Sequence, residues 1–322
     1  MIRFTHLARL FTAAVATTTL TIGLLAAPAA SALGNSGSLN PITSGLWSGA
    51  NFAVQPTVTT PAPQPKPVPK PTPKPATGKY AALGDSVAAG VGLPAASSTD
   101  DPRCGRSSQA YAYKVAQVTG LTLTHAACSG ATVGDLVSKQ RVDGPNIAAQ
   151  LDTAFAGGVP KVITITAGAN DVHWLDIIKT CYATNCNNAN VRGSFDLAQY
   201  AVTAKYAAAL AYTQWLSRGA TPPKIVITGY YNPLSNACAS VIPQFTPAEL
   251  TWISSAVAQM NNTLRNAASG YSNVTFAPVD FTGHDICSAS PWVQGQSDPT
   301  PFHPNAAGQQ AIATSVTRAL GY

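Results

Sequence analysis

Little in this sequence is long and apolar. The run Leu10 to Leu25 is short for a bilayer span and carries several threonines. No Cys-x-x-Cys pair exists, and Cys181 and Cys186 have no histidine close by, which argues against a zinc site. No glycine-rich loop followed by lysine is present, so a nucleotide phosphate has no cradle. No internal repeat is visible. Net charge is missing too, once the amino-terminal tail is set aside. The chain has 19 Lys plus Arg against 13 Asp plus Glu. Arg3, Arg9, Lys66, Lys70, Lys74 and Lys79 all lie in or at the edge of the tail, and without these six the balance is 13 against 13. The basic character therefore belongs to the tail, and no nucleic-acid partner is expected.

What is present begins with a basic start, Arg3, His6 and Arg9, ahead of the apolar run and a small-residue cleavage site, Ala30-Ser31-Ala32. Residues 1–32 are expected to be a signal peptide, which makes the protein secreted. Leu33 to Val54 is rich in Gly, Ser and Asn. Gln55 to Thr77 reads QPTVTTPAPQPKPVPKPTPKPAT, with proline at almost every second position and lysines between. Such a stretch cannot bury a core and favours an extended spacer. Residues 33–78 are expected to form a disordered Pro/Lys-rich linker. Its lysines could touch an anionic cell wall or membrane surface; a soluble spacer is the simpler reading. Residues 79–322 can hold one domain with a sizeable core. All six cysteines fall there, and an even count in an exported chain suggests three disulfides. Sequential pairing, Cys104–Cys128, Cys181–Cys186 and Cys238–Cys287, needs only local loops and is the expected arrangement.

Five short β-rich runs stand out: Tyr80 to Leu83, Leu121 to Ala126, Lys161 to Thr166, Lys224 to Thr228 and Val274 to Val279. Helix-like stretches lie between and after them: Ser108 to Thr119, Gly144 to Phe155, Phe195 to Leu216, Pro247 to Ala268 and Asn305 to Leu320. In the second, Ile147, Leu151 and Phe155 recur at spacing four; at the fourth, Thr246 reads as an N-cap before Pro247. Strands alternating with helices predict an α/β domain with a parallel sheet covered on both faces. Function in such sheets gathers at the carboxyl ends of the strands. Four segments sit there: Gly84-Asp85-Ser86, Cys128-Ser129-Gly130-Ala131, TAGAND over Thr166 to Asp171, and FHPNAAGQQ over Phe302 to Gln310. Each alone reads as an ordinary turn or helix cap. All four in one order at strand ends do not.

Together they resemble the blocks of the SGNH hydrolases, also called GDSL-type esterases and lipases. The resemblance rests on Ser86 in GDS, Gly130 in CSGA, Asn170 in GAND and His303 in HPNAAG, and it spans about Lys79 to Tyr322. The cysteines and the start GDSVAAGVG are most similar to the secreted bacterial lipase and esterase branch. The resemblance implies a three-layer α/β/α sandwich with a five-stranded parallel sheet, flavodoxin-like in order. It implies a catalytic domain over 79–322, Ser86 as nucleophile, and an oxyanion hole from the backbone N–H groups of Ser86 and Gly130 with the Asn170 side-chain amide. No metal or cofactor is called for.

The residue chemistry is consistent with those roles. A serine hydroxyl near neutral pH needs a base within hydrogen-bond reach. His303 is the candidate; Pro304 tends to hold it extended ahead of a helix. His6 lies in the leader and His125 in a strand run, while His173 and His284 lack a matching context, although His173 could line a pocket. A neutral asparagine amide donates at any working pH, and a glycine carries no Cβ to obstruct an acyl group. Asp85 and Asp171 are expected to be structural. One departure stands out. Members of the family commonly carry an acid three residues before the histidine; here that position is Thr300, and the nearest acid is Asp298. Either a backbone carbonyl such as that of Thr300 orients His303 in a Ser-His dyad, or the loop bulges and Asp298 serves as third member. Pro299 and Pro301 make the loop irregular, so spacing leaves both open.

The expected activity is hydrolysis of carboxylic esters, acyl lipids or short- to long-chain esters, through an acyl-enzyme. Trp174, Leu175, Ile177, Ile178 and Trp292 are candidate walls of an apolar acyl pocket, or else core residues. Leu93 to Arg106 and Thr180 to Arg192 are candidate lids. A polysaccharide acetylesterase is the alternative, suggested by the spacer. A non-catalytic surface-binding protein is a third reading, which the joint presence of Ser86, Gly130, Asn170 and His303 opposes. So does the ending Leu320-Gly321-Tyr322, which carries no sorting signal. The protein is expected to be a monomer with an ester substrate.

Overall fold

Five runs dominated by β-branched and small apolar residues become strands: β1 (Lys79–Gly84), β2 (Thr122–His125), β3 (Val162–Thr166), β4 (Lys224–Thr228) and β5 (Val274–Ala277). The computed structural model describes residues 77–97 and 100–322. The signal peptide expected over 1–32 and nearly all of the linker expected over 33–78 lie outside the described residues. All four pairings in the sheet are parallel, in the order β2-β1-β3-β4-β5. Every residue of β3, VITIT, is buried, as a strand covered on both faces requires. β2, at an edge, is only partly covered.

The helices follow from the connections. They are α1 (Ser86–Ala89), α2 (Tyr111–Thr119), α3 (Gln150–Phe155), α4 (Trp174–Ala183), α5 (Ala189–Leu216), α6 (Pro247–Ser269) and α7 (Ala306–Leu320). The chain moves outward in one direction from β1 to β2, then back through β3, β4 and β5. Right-handed crossovers therefore put α2 on one face and α3, α5 and α6 on the other. After β5, α7 returns to pack against α2, while α5 packs against α6. The result is a three-layer α/β/α sandwich with the flavodoxin-like strand order.

Sequence signals set the helix ends. Thr246 and Glu249 form a reciprocal capping box with Pro247 in the first turn of α6. The Asn305 side chain accepts from the N–H groups of Ala307 and Gly308 at the start of α7. One helix is shorter than its periodicity suggested. Residues 144–149 are not helical: Ile147 forms an antiparallel bridge with Gln140, so only Leu151 and Phe155 of the spaced trio lie on α3. Conversely, α5 begins earlier than Phe195, because Asn188 caps it by accepting from Asn190 N and Val191 N. α4, which the apolar spacing did not single out as a helix, follows the β3 loop directly.

Inside the sheet, polar side chains satisfy one another. Tyr80 and Thr164 share a 2.8 Å hydrogen bond, Tyr111 and Thr166 one of 2.9 Å, and Thr166 and Thr228 one of 2.7 Å. A buried hydroxyl left unpaired would cost about 1–3 kcal/mol, so this chain of contacts lets threonine and tyrosine occupy core positions.

Candidate active site

β1 and β3 run in register, Gly84 opposite Thr166, and the strand order reverses between them. Their carboxyl ends therefore open a crevice at the topological switch point. Gly84 makes the close approach possible: a Cβ there would stand 2.0 Å from the Thr166 carbonyl oxygen. Buried Gln150 brackets this glycine, accepting from its N–H at 2.6 Å and donating to its carbonyl at 2.9 Å. Asp85 comes next and caps α1, its Oδ1 accepting from Val87 N at 2.9 Å. Ser86 is thus delivered at the first position of a short helix, directly above the sheet.

The chain returns to this point 217 residues later, where His303 Nε2 lies 2.8 Å from Ser86 Oγ. On the other side of the ring, Nδ1 lies 3.2 Å from the carbonyl oxygens of both Thr300 and Pro301. Asp298 faces elsewhere: its Oδ2 accepts from Gly295 N at 2.7 Å. A protonated Nδ1 donating to main-chain carbonyls leaves Nε2 free to accept a proton from the serine. Such a pair can generate a nucleophile for acyl transfer.

Asn170 follows β3, and its Nδ2 donates to Ala131 O at 2.9 Å, which joins it to the segment after β2. Gly130 lies in that segment with φ +75°, and a Cβ on it would meet only Gln140 Nε2 at 3.7 Å. Within the protein, the left-handed backbone rather than crowding selects glycine here. Asp171 anchors the same region: Oδ2 accepts from Val133 N at 2.8 Å and Oδ1 from Lys205 Nζ at 2.7 Å.

Ser86, Asn170 and His303 border a mostly apolar cavity that is open at its mouth. Trp174 and Leu175 of α4 line it; Ile177 and Ile178 of the same helix are buried in the core instead. Trp292 does not reach the cavity and stacks on His284 at 3.7 Å. His173 is exposed and 4.0 Å from Asp176, outside the lining. Other lining residues were not legible in the pattern: Phe195 of α5, Val257 and Met260 of α6, and Tyr230 and Tyr231 after β4. Apolar residues on a helix read as core whether they face a sheet or a void.

With this geometry established, comparison with known proteins becomes specific. The model of the GDSL-like lipase/acylhydrolase family matches residues 82–311. The chain belongs to this family. It is a carboxylic-ester hydrolase by that membership. Lipase 1 of Streptomyces coelicolor is 32% identical over 245 residues, 71% of this chain and 82% of that protein. The crystal structure of an extracellular lipase from Streptomyces rimosus superposes with TM-score 0.56 at 26% identity, over 75% of this chain and 99% of that one. A phospholipase A1 from Streptomyces albidoflavus has the same fold, with TM-score 0.58 at 23% identity over 76% of this chain and all of that one.

Burial shapes the titration of the groups in this acylhydrolase. It holds the His303 imidazole below its ordinary range, opposed by the hydrogen bonds to Thr300 and Pro301. It pushes the Asp85 carboxyl up to about 7, opposed by the Tyr230 hydroxyl, which donates to Oδ2 at 2.5 Å. Burial also keeps Tyr230 itself protonated as a donor.

The acylhydrolase has three disulfides: Cys104–Cys128, Cys181–Cys186 and Cys238–Cys287. Every segment that leaves the carboxyl end of a strand carries at least one of these cysteines. The first joins the loop after α1 to the Gly130 segment. The second ties α4 to the turn before α5, within the stretch 180–192 considered as a lid. The third joins the loop after β4 to the loop that leads to His303. Two close groups of ligand-type side chains, Cys181, Cys186 and Glu249 together with Cys238, Asp285 and Cys287, contain only oxidised sulfurs. A disulfide has no thiolate to offer a metal.

Proposed function

We propose that this protein is a secreted esterase or lipase whose nucleophile is Ser86 and whose base is His303. The observation that carries the reading is the 2.8 Å contact between Ser86 Oγ and His303 Nε2 at the edge of an apolar cavity. An acyl chain lies in the cavity with its carbonyl carbon beside Ser86. As Oγ attacks, its proton passes to Nε2, and Nδ1–H stays on the carbonyls of Thr300 and Pro301. The tetrahedral oxyanion is received by the N–H groups of Ser86 and Gly130 and by the Asn170 amide. Collapse expels the alcohol, which takes the proton back from Nε2. Water then attacks the acyl-serine by the same route and releases the acid. The free energy for the oxyanion is of the order of 3 kcal/mol per donor.

The orienting group for His303 is main-chain carbonyl, with Asp298 spent on Gly295 N. The chain is divided into a signal peptide over 1–32, a linker over 33–78 and a catalytic domain over 79–322. Export is supported by the three disulfides and by the extracellular lipase among the relatives. No helix among the described residues is long and apolar enough to cross a membrane. The enzyme acts as a monomer, with the Pro/Lys-rich linker as a soluble spacer.

The test is hydrolysis of p-nitrophenyl esters from acetate to palmitate by wild type and Ser86→Ala. The expected result is activity on chains longer than acetate, abolished by the substitution. Activity surviving in Ser86→Ala assigns the wrong serine. Activity confined to acetate, with release of acetate from acetylated xylan, favours the acetylesterase. No activity in either protein favours a binding role.

A further inference from the structure

Phe302 stands immediately before the candidate base and has φ +68°. Only one other non-glycine residue among the described residues, His173, has a positive φ. A bulky aromatic side chain rarely adopts this conformation, and it persists only where the surroundings over-determine it. The surroundings here are specific. Tyr231 Oη donates to the Phe302 carbonyl at 2.7 Å. Phe302 N donates to Gln294 O at 3.1 Å, and Gln294 N donates to His303 O at 2.8 Å. The Gln294 side chain is buried and bridges two loops: Oε1 accepts from Thr300 Oγ1 at 2.7 Å, and Nε2 donates to Val91 O at 2.8 Å. Val91 N in turn donates to Ser86 O at 3.1 Å, so the bridge ends on the nucleophile's own turn. Gly92 leaves the room for it, since a Cβ there would lie 2.1 Å from Thr300 Oγ1.

The consequence of the reversed φ is local. It closes a tight turn over residues 300–303, and two successive carbonyls, those of Thr300 and Pro301, converge on the Nδ1 of a ring only two or three residues later. We propose that Tyr231 and Gln294 are positioning residues for His303: by locking Phe302 in the left-handed conformation they let main-chain carbonyls orient the imidazole without an acidic side chain. This rests on the reading of Ser86 and His303 as the reacting pair. Neither residue touches the reacting atoms of that pair in any hydrogen bond of the structure; both act through the backbone between Thr300 and His303.

The experiment is a double-mutant cycle between Tyr231→Phe and Phe302→Gly, read as kcat and KM on p-nitrophenyl esters. Tyr231→Phe keeps the ring in the cavity wall and removes only the hydroxyl. It is expected to lower kcat about tenfold with KM within about twofold. Glycine adopts positive φ freely, so in the Phe302→Gly background removing the same hydroxyl is expected to cost less than about threefold. That rescue separates a backbone lock from a role in packing or substrate contact, which glycine at 302 would not relieve. Gln294→Met, which loses the side-chain bonds to Thr300, Val91 and Pro304, is the second variant and is expected to show the same coupling. Wild-type kcat in Tyr231→Phe and Gln294→Met overturns the proposal, as does an equal loss in both backgrounds. Ser86→Ala and His303→Ala run alongside. If either stays active, the reading of the reacting pair fails; if both are inactive and no coupling appears, only the lock fails.

Discussion

Ser86 and His303 meet at 2.8 Å, yet they are brought there by unlike means. Ser86 rides on the sheet. β1 is buried from Tyr80 onward, Gly84 is pressed against Thr166, and Gln150 and Asp85 occupy fixed places around the turn. His303 sits in a long irregular passage between β5 and α7, residues 278–305, with no strand or helix of its own. Its shape comes from individual hydrogen bonds, the Val293–Pro304 bridge, one disulfide and a few anchoring side chains, Val279, Phe281 and Val293. One arm of the site is placed by the cooperative core, the other by a set of local contacts. Loss of a single contact should therefore matter little on the first arm and more on the second, except where a contact belongs to the chemistry itself.

His303→Ala removes the proposed base and should cut kcat by about ten-thousandfold, with far-UV circular dichroism unchanged, because the residue lies in no strand or helix. A loss smaller than about tenfold would remove His303 from the reaction. The sheet-borne arm should show itself in stability rather than rate. The Asp85 carboxyl is raised from 3.8 to about 7 by burial. The folded state thus binds a proton more readily than the unfolded state, so stability is highest below about pH 4 on this group's account and falls as pH rises through about 7. The size corresponds to about 4 kcal/mol. Asp85→Asn removes this term, and the fall in Tm between pH 5 and pH 8 should become shallower; an identical slope in both proteins would show that the carboxyl is not the source. The smallest effect belongs to Asp298→Asn. The amide oxygen can still accept from Gly295 N, so kcat should drop by less than about tenfold, whereas a loss near ten-thousandfold is what a true third member gives.

The same contrast explains what was legible beforehand. Strands such as Val162–Thr166 and Lys224–Thr228 announce themselves by β-branched residues, and Thr246-Pro247 announces a helix start. The segments bearing Ser86, Gly130, Asn170 and His303 could be placed at strand ends because the strands could. The positive φ of Phe302 could not be seen: nothing in a Pro-Phe-His sequence requires it, and its carbonyl is bonded by Tyr231, which is distant in the chain. The cavity wall was hidden for another reason. Phe195, Val257 and Met260 obey the helical period of a core face, and only the packing shows that part of that face borders a void. Whether Asp298 or the Thr300 carbonyl lies beside His303 depends on the course of a loop around two prolines, where spacing carries no distance.

The placement of the cysteines has a consequence for the order in which the molecule is finished. The sheet contains none of them, and every excursion from its carboxyl end contains at least one. A chain still in its thiol form has the whole parallel core to fold and lacks only the clasps on one end. Oxidation therefore finishes the face that meets the ester and leaves the strands of the scaffold untouched.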